Sequence, residues 1–218
     1  MKSATIEAPV VAAKWTSPAP TDAIERTLEA LAAHGIDAEL AVDGEEAKQK
    51  VLALLPPGAE VFTLTSVTLE EIGLAKEINE SGRYSSVRAA LSGMDPQTQG
   101  RQMRKMGAAP DFAVGSAHAV TETGTVIVAS GTGSQLPSYV YGGGTVILVV
   151  GAQKIVRDVE EGLQRIDEYL LDKESERARK AYGLPASFRS AANKVLLFRG
   201  EGQPGRVKLI LVNDAVGH

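Results

Sequence analysis

The sequence contains no cysteine. This absence excludes disulfides, thiolate zinc sites, iron–sulfur ligation and a cysteine nucleophile within the chain. The three histidines, at positions 34, 118 and 218, are scattered and have no metal-ligand spacing. We therefore expect no metal site and no cofactor in this chain, and in particular no iron–sulfur cluster. The lack of disulfides also favours the cytoplasm.

Long apolar runs and basic runs are absent as well. No segment approaches the roughly 18 apolar residues that a membrane helix needs, and the N-terminus lacks a charged-then-apolar signal pattern. The net charge is −4, and no run of five or more basic residues occurs. A nucleic-acid binder usually carries a basic face. The sequence therefore predicts a cytoplasmic protein that binds neither nucleic acid nor membrane.

The 218 residues show no internal repeat and no low-complexity linker. We expect a loose N-terminal arm, residues 1–20, because this segment has three prolines and no periodicity. Residues 21–218 would then form a single domain, a size that allows a substantial core. Trp15, the only tryptophan, is expected to hold the arm against the body or against another subunit, so a homodimer is one arrangement that the sequence allows.

Apolar residues at helical spacing alternate along the chain with short apolar runs. This alternation predicts a layered α/β fold, with a sheet of mostly parallel strands and helices on both faces. Such sheets bind ligands outside the carboxyl ends of their strands. The predicted helices are 22–35, 43–55, 68–82, 96–106 and a long helix from Ile155 to residue 180, and the predicted strands are 38–42, 60–64, 84–87, 112–114, 126–129, 146–150, 194–198 and 207–212.

Glu122 is the first candidate for a functional residue. It is flanked by hydroxyls and a glycine in Thr121, Thr123, Gly124 and Thr125. A carboxylate in a dry site can act as general base or nucleophile, because burial raises its pKa. It can also simply accept backbone hydrogen bonds and hold a turn, which the residues alone favour. His118 is close enough in sequence to pair with Glu122, or to be an ordinary structural histidine.

Three further groups could contact a ligand. Gly131, Thr132, Gly133 and Ser134 form a loop whose backbone N–H groups could hold a phosphate or carboxylate, although a plain turn is the alternative. Thr65 and Ser66 follow a predicted strand. Lys154 lies before a predicted helix, where a cation is slightly unfavourable. That misfit indicates anion binding, and a surface lysine is the alternative reading.

Five short segments are distinctive when they are taken together. They are TLEEIGL at 68–74, DFAV at 111–114, AVTETGTVIV at 119–128, Gly151 followed by Lys154, Ile155 and Val156, and GRVKLILV at 205–212. Together they resemble the LUD domain, which is named for lactate-utilisation proteins. The pattern departs at 135–144, where Pro137 is followed by three consecutive glycines.

The resemblance implies a fold similar to the ribose-phosphate isomerase, glucosamine-phosphate deaminase and CoA-transferase superfamily, whose members act on small anionic metabolites at the carboxyl edge of the sheet. It also implies a role in lactate or related organic-acid utilisation, as a cluster-free subunit that acts with an iron–sulfur oxidoreductase. In that role Glu122 would be the catalytic acid or base, and the hydroxyls and Lys154 would bind the anion. Two alternatives stay open: a self-sufficient enzyme (an isomerase, a CoA-transferase or a folate cyclo-ligase relative) and a non-catalytic regulatory module.

Overall fold

The computed structural model describes residues 14–218 and contains two β-sheets. Its α-helices are α1 Thr21–Ala33, α2 Gly44–Leu54, α3 Val67–Glu71, α4 Leu74–Glu80, α5 Val87–Ser92, α6 Pro96–Ala108, α7 Val159–Arg165 and α8 Leu171–Tyr182. Its strands are β1 Asp37–Ala41, β2 Glu60–Thr63, β3 Ser85–Ser86, β4 Phe112–Gly115, β5 Ala119–Thr121, β6 Val126–Ser130, β7 Thr145–Gly151, β8 Ile155–Val156, β9 Lys194–Phe198 and β10 Val207–Val212. Short π-helical segments span Ser138–Gly142 and Ile166–Leu170, and a 3-10 turn spans Ala152–Lys154.

The larger sheet has six strands in the order β1-β10-β7-β4-β2-β3, and every neighbouring pair is parallel. This arrangement confirms the predicted α/β class with a mostly parallel sheet. Because parallel strands all run the same way, their carboxyl ends meet at one edge, and the loops that leave those ends lie close together.

Both faces of the larger sheet are covered. Along the central strand β7, Val146, Leu148 and Val150 point to one face, while Ile147 and Val149 point to the other, as the two-residue period of a strand requires. The first face packs against α1, α5, α6 and the smaller sheet. The second face packs against α2, α3 and α4.

The smaller sheet has the order β8-β5-β6-β9, with β6 antiparallel to both β5 and β9. The sequence did not predict a second sheet, because β5 and β8 are too short to show a pattern. Alternate residues of β6 again serve two layers: Val126 and Val128 face the larger sheet, and Ile127 and Ala129 face a third cluster with Ile166. The last two strands, β9 and β10, match their predicted bounds but lie in different sheets.

Two predicted helices differ from the structure. The helix expected over 68–82 is split at Gly73, whose φ of 70° is left-handed and ends α3. The long helix expected from Ile155 begins only at Val159, after the N-cap Asp158, whose side chain accepts a hydrogen bond from the Glu161 N–H. Ile155 instead belongs to β8. A π-helical segment then separates α7 from α8.

The predicted loose arm falls partly outside the described residues, since residues 1–13 are not among them. The described part, residues 14–20, is held by the body. Trp15 is 2% exposed and packs with the third cluster, on the far side of the smaller sheet. The Ala19 N–H donates to the Ala152 carbonyl at 3.2 Å. The tryptophan therefore anchors residues 14–20 to the smaller sheet of the same chain.

The three consecutive glycines allow backbone segments to approach each other. A Cβ on Gly142 would overlap the Ala108 carbonyl oxygen, and one on Gly144 would lie 2.8 Å from the Asp111 oxygen. These contacts are with the connection between α6 and β4. The glycines are therefore required because the backbone packs closely where β7 begins.

Replacing Gly142 by alanine should lower the free energy of unfolding by about 1–3 kcal/mol, because the new methyl group meets backbone that cannot move aside cheaply. Urea denaturation measures the change. Gly202→Ala is the matched control: nothing lies within 4 Å of its Cβ position, so its effect should stay within about 0.5 kcal/mol. Equal stabilities of the two variants would contradict the packing role.

Candidate functional site

A cavity of about 550 Å³ lies at the carboxyl edge of the larger sheet. This volume falls within the roughly 300–1,000 Å³ typical of ligand sites. Its floor is formed by residues that directly follow β2, β4 and β7, and the end of β6 supplies one side. The outer wall consists of α8 and the segment 184–193. Both sheets and α8 therefore contribute walls to the cavity.

Lys154 is the central charged group of the floor. It ends the 3-10 turn after β7 and is 2% exposed. Its Nζ donates to Thr68 Oγ1 at 2.8 Å and to Ser116 Oγ at 3.3 Å. Among residues 14–218 it forms no ion pair with a carboxylate. Burial lowers the pKa of Lys154 to about 7, with a further lowering by Arg165 and a partial opposing effect of Glu71.

His118 lines the same cavity, between β4 and β5. Its Nδ1 accepts a hydrogen bond from the Ala129 N–H at 3.1 Å. Burial, and then the positive charges of Lys154 and Arg165, lower the pKa of His118 to about 3. The ring is therefore neutral at physiological pH. Because Nδ1 is an acceptor, the proton resides on Nε2, which makes this atom a hydrogen-bond donor.

Arg165 adds a second buried positive charge near the cavity. It is fully buried at the end of α7, and its Nη1 donates to the His118 carbonyl at 2.8 Å. Nε and Nη2 have no hydrogen-bond partner within the described residues. Burial lowers the pKa of Arg165 to about 10, so it stays charged at neutral pH. The Lys154 ammonium and the hydroxyl groups of the floor, together with the charge of Arg165 outside the lining, favour a negatively charged ligand.

The outer wall carries both charge and aromatic surface. Arg177 on α8 is paired with Glu174 at 2.6 Å, and Tyr182 lies beside Arg177. Phe188 and Arg189 continue the wall after the helix, where Arg189 Nη1 donates to the backbone carbonyl of Ala186 at 2.9 Å. Because this outer wall contains charged and polar groups as well as aromatic rings, a charged solute can pass along it into the cavity.

Six of the predicted contact residues line this cavity. They are Thr65, Ser66, Gly131, Thr132, Ser134 and Lys154. Gly133 belongs to the same loop, but a Cβ there would point at the Lys194 side chain, 2.6 Å away. Its N–H donates to Ser130 Oγ at 2.8 Å, which shapes the loop. The structure thus places the loops after β2, β6 and β7 around one cavity.

The predicted position of Glu122 needs correction. Glu122 lies in the turn between β5 and β6, outside the cavity lining. Its carboxylate accepts two hydrogen bonds from Arg26 of α1, at 2.7 and 2.9 Å. Because β5 and β6 are antiparallel, this turn lies at one end of the hairpin, whereas His118 and Ser130 lie at the other. The catalytic role predicted for Glu122 therefore has no support from the geometry, nor does the pairing of His118 with it.

The neighbours of Glu122 are separated from the cavity with it. Thr121 Oγ1 accepts a hydrogen bond from the Thr125 N–H at 2.9 Å and contacts the Thr123 hydroxyl at the same distance. Gly124 has a φ of 82°, and its Cβ position lies 2.8 Å from the Ala30 carbonyl oxygen. Thr123, Gly124 and Thr125 therefore form a structural turn against α1 and do not join the other predicted contacts.

Sequence reasoning missed Thr68 and Ser116, which line the cavity, and Arg165, which holds the backbone of His118 from outside the lining. Thr68 was interpreted only as the start of a helix, and Ser116 follows β4 just as Thr65 follows β2. That position after a buried strand was the available signal for Ser116. Arg165 gave no signal, because a single arginine in a helix is usually exposed.

Two absences concern residues 14–218 alone. No group of three or more histidine, cysteine, aspartate or glutamate side chains there could hold a metal ion. No helix there is long and apolar enough to span a membrane.

The fold and the site define an α/β protein with a cation-floored, hydroxyl-lined cavity at the carboxyl edge of a parallel sheet. The model of the LUD domain family matches residues 24–212, and the chain belongs to this family of lactate-utilisation-associated domains. No curated protein matches the chain.

Two solved structures match the chain to different degrees. A DUF162 family protein from Deinococcus radiodurans has 15% sequence identity and a TM-score of 0.53, and the match covers 88% of this chain and 96% of that one. The match to eIF2B beta from Chaetomium thermophilum has 15% identity and a TM-score of 0.37, and it covers 64% of this chain and 48% of that one. At these identities the first likeness shows a shared fold, and the second adds nothing to it.

Stability should rise with pH above 7 because of Lys154. Its pKa is about 7 in the folded chain and 10.5 as an ordinary lysine. Between these values the unfolded chain holds the proton and the folded chain does not, so raising the pH favours folding by up to about 1.4 kcal/mol per pH unit. Urea denaturation from pH 7 upward should show this excess slope in the wild type and not in Lys154→Met. Lys105→Met, at an exposed position, should retain it, and a slope unchanged in Lys154→Met would contradict the assignment.

Glu122→Gln should leave the cavity unaffected. The substitution weakens the pair with Arg26, whose side chain is 52% exposed. Partly exposed pairs contribute little, so the free energy of unfolding should fall by less than about 1 kcal/mol. Ligand binding, measured by calorimetry, should match the wild type. A clear loss of binding would restore Glu122 to the site.

Proposed function

We propose that this chain binds a small organic anion of lactate or related organic-acid utilisation in the cavity at the sheet edge. The observation that carries the proposal is Lys154, a buried cation on the cavity floor whose protein partners are the hydroxyls of Thr68 and Ser116. A buried charge is costly unless it is paired. An anionic ligand supplies the missing pair.

The donors around the cavity suit a carboxylate. The Lys154 ammonium would contact one carboxylate oxygen, and Nε2–H of His118 would donate to the ligand from the adjacent wall. Carboxylate oxygens accept several hydrogen bonds, and hydroxyl groups can supply them. The loop at Gly131 and Thr132 would contribute backbone N–H groups on the side of the smaller sheet.

In this proposal the chain works as the cluster-free subunit of a cytoplasmic iron–sulfur oxidoreductase. Oxidation of a 2-hydroxy acid releases two electrons, and the sequence has no cysteine with which to hold an iron–sulfur cluster. A partner subunit would therefore accept the electrons. Membership of a lactate-utilisation-associated family supports the class of metabolite.

One observation favours the alternative of a self-sufficient enzyme. The cavity, at about 550 Å³, is far larger than a three-carbon acid requires, and its outer wall has aromatic and basic groups from Tyr182, Phe188 and Arg189. A larger acid, or an acid joined to a carrier, would fill this space. Turnover of such a substrate by the purified single chain would favour the alternative over the subunit role.

Binding of lactate, pyruvate and inorganic phosphate should be measured by isothermal titration calorimetry and by thermal shift. We expect at least one organic anion to bind the wild type and its affinity to fall at least about tenfold in Lys154→Met, because the pairing charge is lost. Affinity for lactate should also decrease as the pH rises through 7, since Lys154 loses its proton there.

Lys105→Met and Glu122→Gln serve as matched controls for that titration. The first removes an exposed lysine, and the second removes the carboxylate outside the cavity. Both should bind as the wild type does. Loss of binding in Lys105→Met equal to that in Lys154→Met, or a wild-type affinity that is unchanged by pH, would refute the assignment of the anion to this cavity.

A further inference from the structure

We propose that Lys154 is a nucleophile that forms an imine with the carbonyl carbon of a 2-oxo acid bound in the cavity. A 2-oxo acid is the class of compound that oxidation of a 2-hydroxy acid such as lactate yields. The inference rests on the proposed function, because it concerns the same cavity, and it goes further by assigning covalent chemistry to one atom.

The position of Lys154 suits a nucleophile. Its stem is held by the turn that directly follows the central strand β7, so the amine is presented at a fixed place on the floor. Thr68 Oγ1 and Ser116 Oγ are 3.3 Å from each other, and Lys154 Nζ contacts both. The amine and the two hydroxyl groups therefore contact one another, and all three have protons that can be exchanged between them. Hydroxyl groups can accept a hydrogen bond from an ammonium and can equally donate one to an amine.

The surrounding charges support the neutral form of this amine. Burial, and then the positive charge of Arg165, lower the pKa of Lys154 to about 7, while Glu71 opposes this shift in part. At neutral pH it then has about a thousandfold larger fraction of free amine than an exposed lysine. Buried lysines of lowered pKa are the ones that form Schiff bases.

The step balances without an oxidant. The amine lone pair of Lys154 forms a bond to the carbonyl carbon, and the π pair moves to the carbonyl oxygen. One proton passes from nitrogen to that oxygen, through the hydroxyl of Thr68 or Ser116, to give a carbinolamine. The carbon–oxygen bond then breaks, and one water leaves, with the second nitrogen proton, to give the imine. His118 Nε2–H donates a hydrogen bond to the oxygen while its negative charge develops.

The acid group of the ligand explains why 2-oxo acids are favoured over simple aldehydes and ketones. An imine that takes up a proton becomes a cation, and a carboxylate on the adjacent carbon pairs with it directly. The buried positive charge of Arg165 also attracts an anion and not a neutral carbonyl compound. The pairing that the ammonium offers to lactate is thus retained by the iminium formed with the corresponding 2-oxo acid.

The test is reductive trapping. The purified full chain is incubated at pH 7 with sodium cyanoborohydride and one 2-oxo acid at a time. The acids are pyruvate, 2-oxobutyrate, 2-oxoglutarate and oxaloacetate. Intact-mass and peptide mass spectrometry then locate any adduct. We expect one 2-oxo acid to give a single reduced adduct on the peptide with Lys154, at least about tenfold faster than on any exposed lysine, given the larger amine fraction. Lactate has no carbonyl group at C2 and should give no adduct.

Variants and competition complete the test. Lys105→Met should give the same adduct as the wild type, and Lys154→Met should lose it and keep only the slow labelling of exposed lysines. Excess lactate should slow labelling of Lys154 and leave exposed lysines unchanged, a result that does not require the Lys154 variant to fold. Adducts spread evenly over exposed lysines, or none at Lys154 with all four acids, would overturn the inference. If no imine is trapped but the same acids and lactate still raise the melting temperature, the imine inference fails and the proposed anion binding stands. If none of these compounds binds, the imine inference and the proposed function both fail.

Discussion

A buried ammonium group with hydroxyl partners in place of a carboxylate is the constraint on which the site depends. Lys154 can stay in this position because the strand before it is covered on both faces, so the turn that holds it cannot open cheaply. The energetic cost of the charge is met partly by Thr68 and Ser116 and partly by a shift of its pKa toward neutrality. Burying such a group lowers the free energy of unfolding, and buried groups with shifted pKa values are typical of functional sites.

The smaller sheet adds a wall to this edge of the larger sheet, and the two together form a cavity that is partly open to solvent. Strand β6 contacts the larger sheet with one set of side chains and the third cluster with the other. Its end brings Ser130 and the glycine loop opposite Lys154, while the Ala129 N–H fixes the ring of His118. Arg165 holds the His118 carbonyl from outside. The cavity floor is therefore positioned by contacts among three layers, and no single motif contains it.

The sequence predicted the parallel sheet, and the carboxyl ends of its strands border the cavity. Thr65, Ser66 and Lys154 follow β2 and β7, and the topology brings them together. The sequence prediction was wrong about the location of Glu122 because strands β5 and β6 form an antiparallel hairpin. Polar, glycine-containing turns look alike at both ends of a hairpin. Only the direction of the strands decides which end of the hairpin faces the cavity, and a strand as short as β5 gives no pattern that shows this direction.

Local patterns in the sequence determined the α/β class, most strand positions and the family, because hydrophobic periodicity and turn residues act over a few neighbours. The tertiary structure alone decided which polar residues share a cavity, since that depends on strand order and on the pairing of β5 with β6. It also decided the charge state of Lys154. A lysine in a sequence is by default an exposed cation, and only the layers packed around this one remove the water that would keep its pKa high.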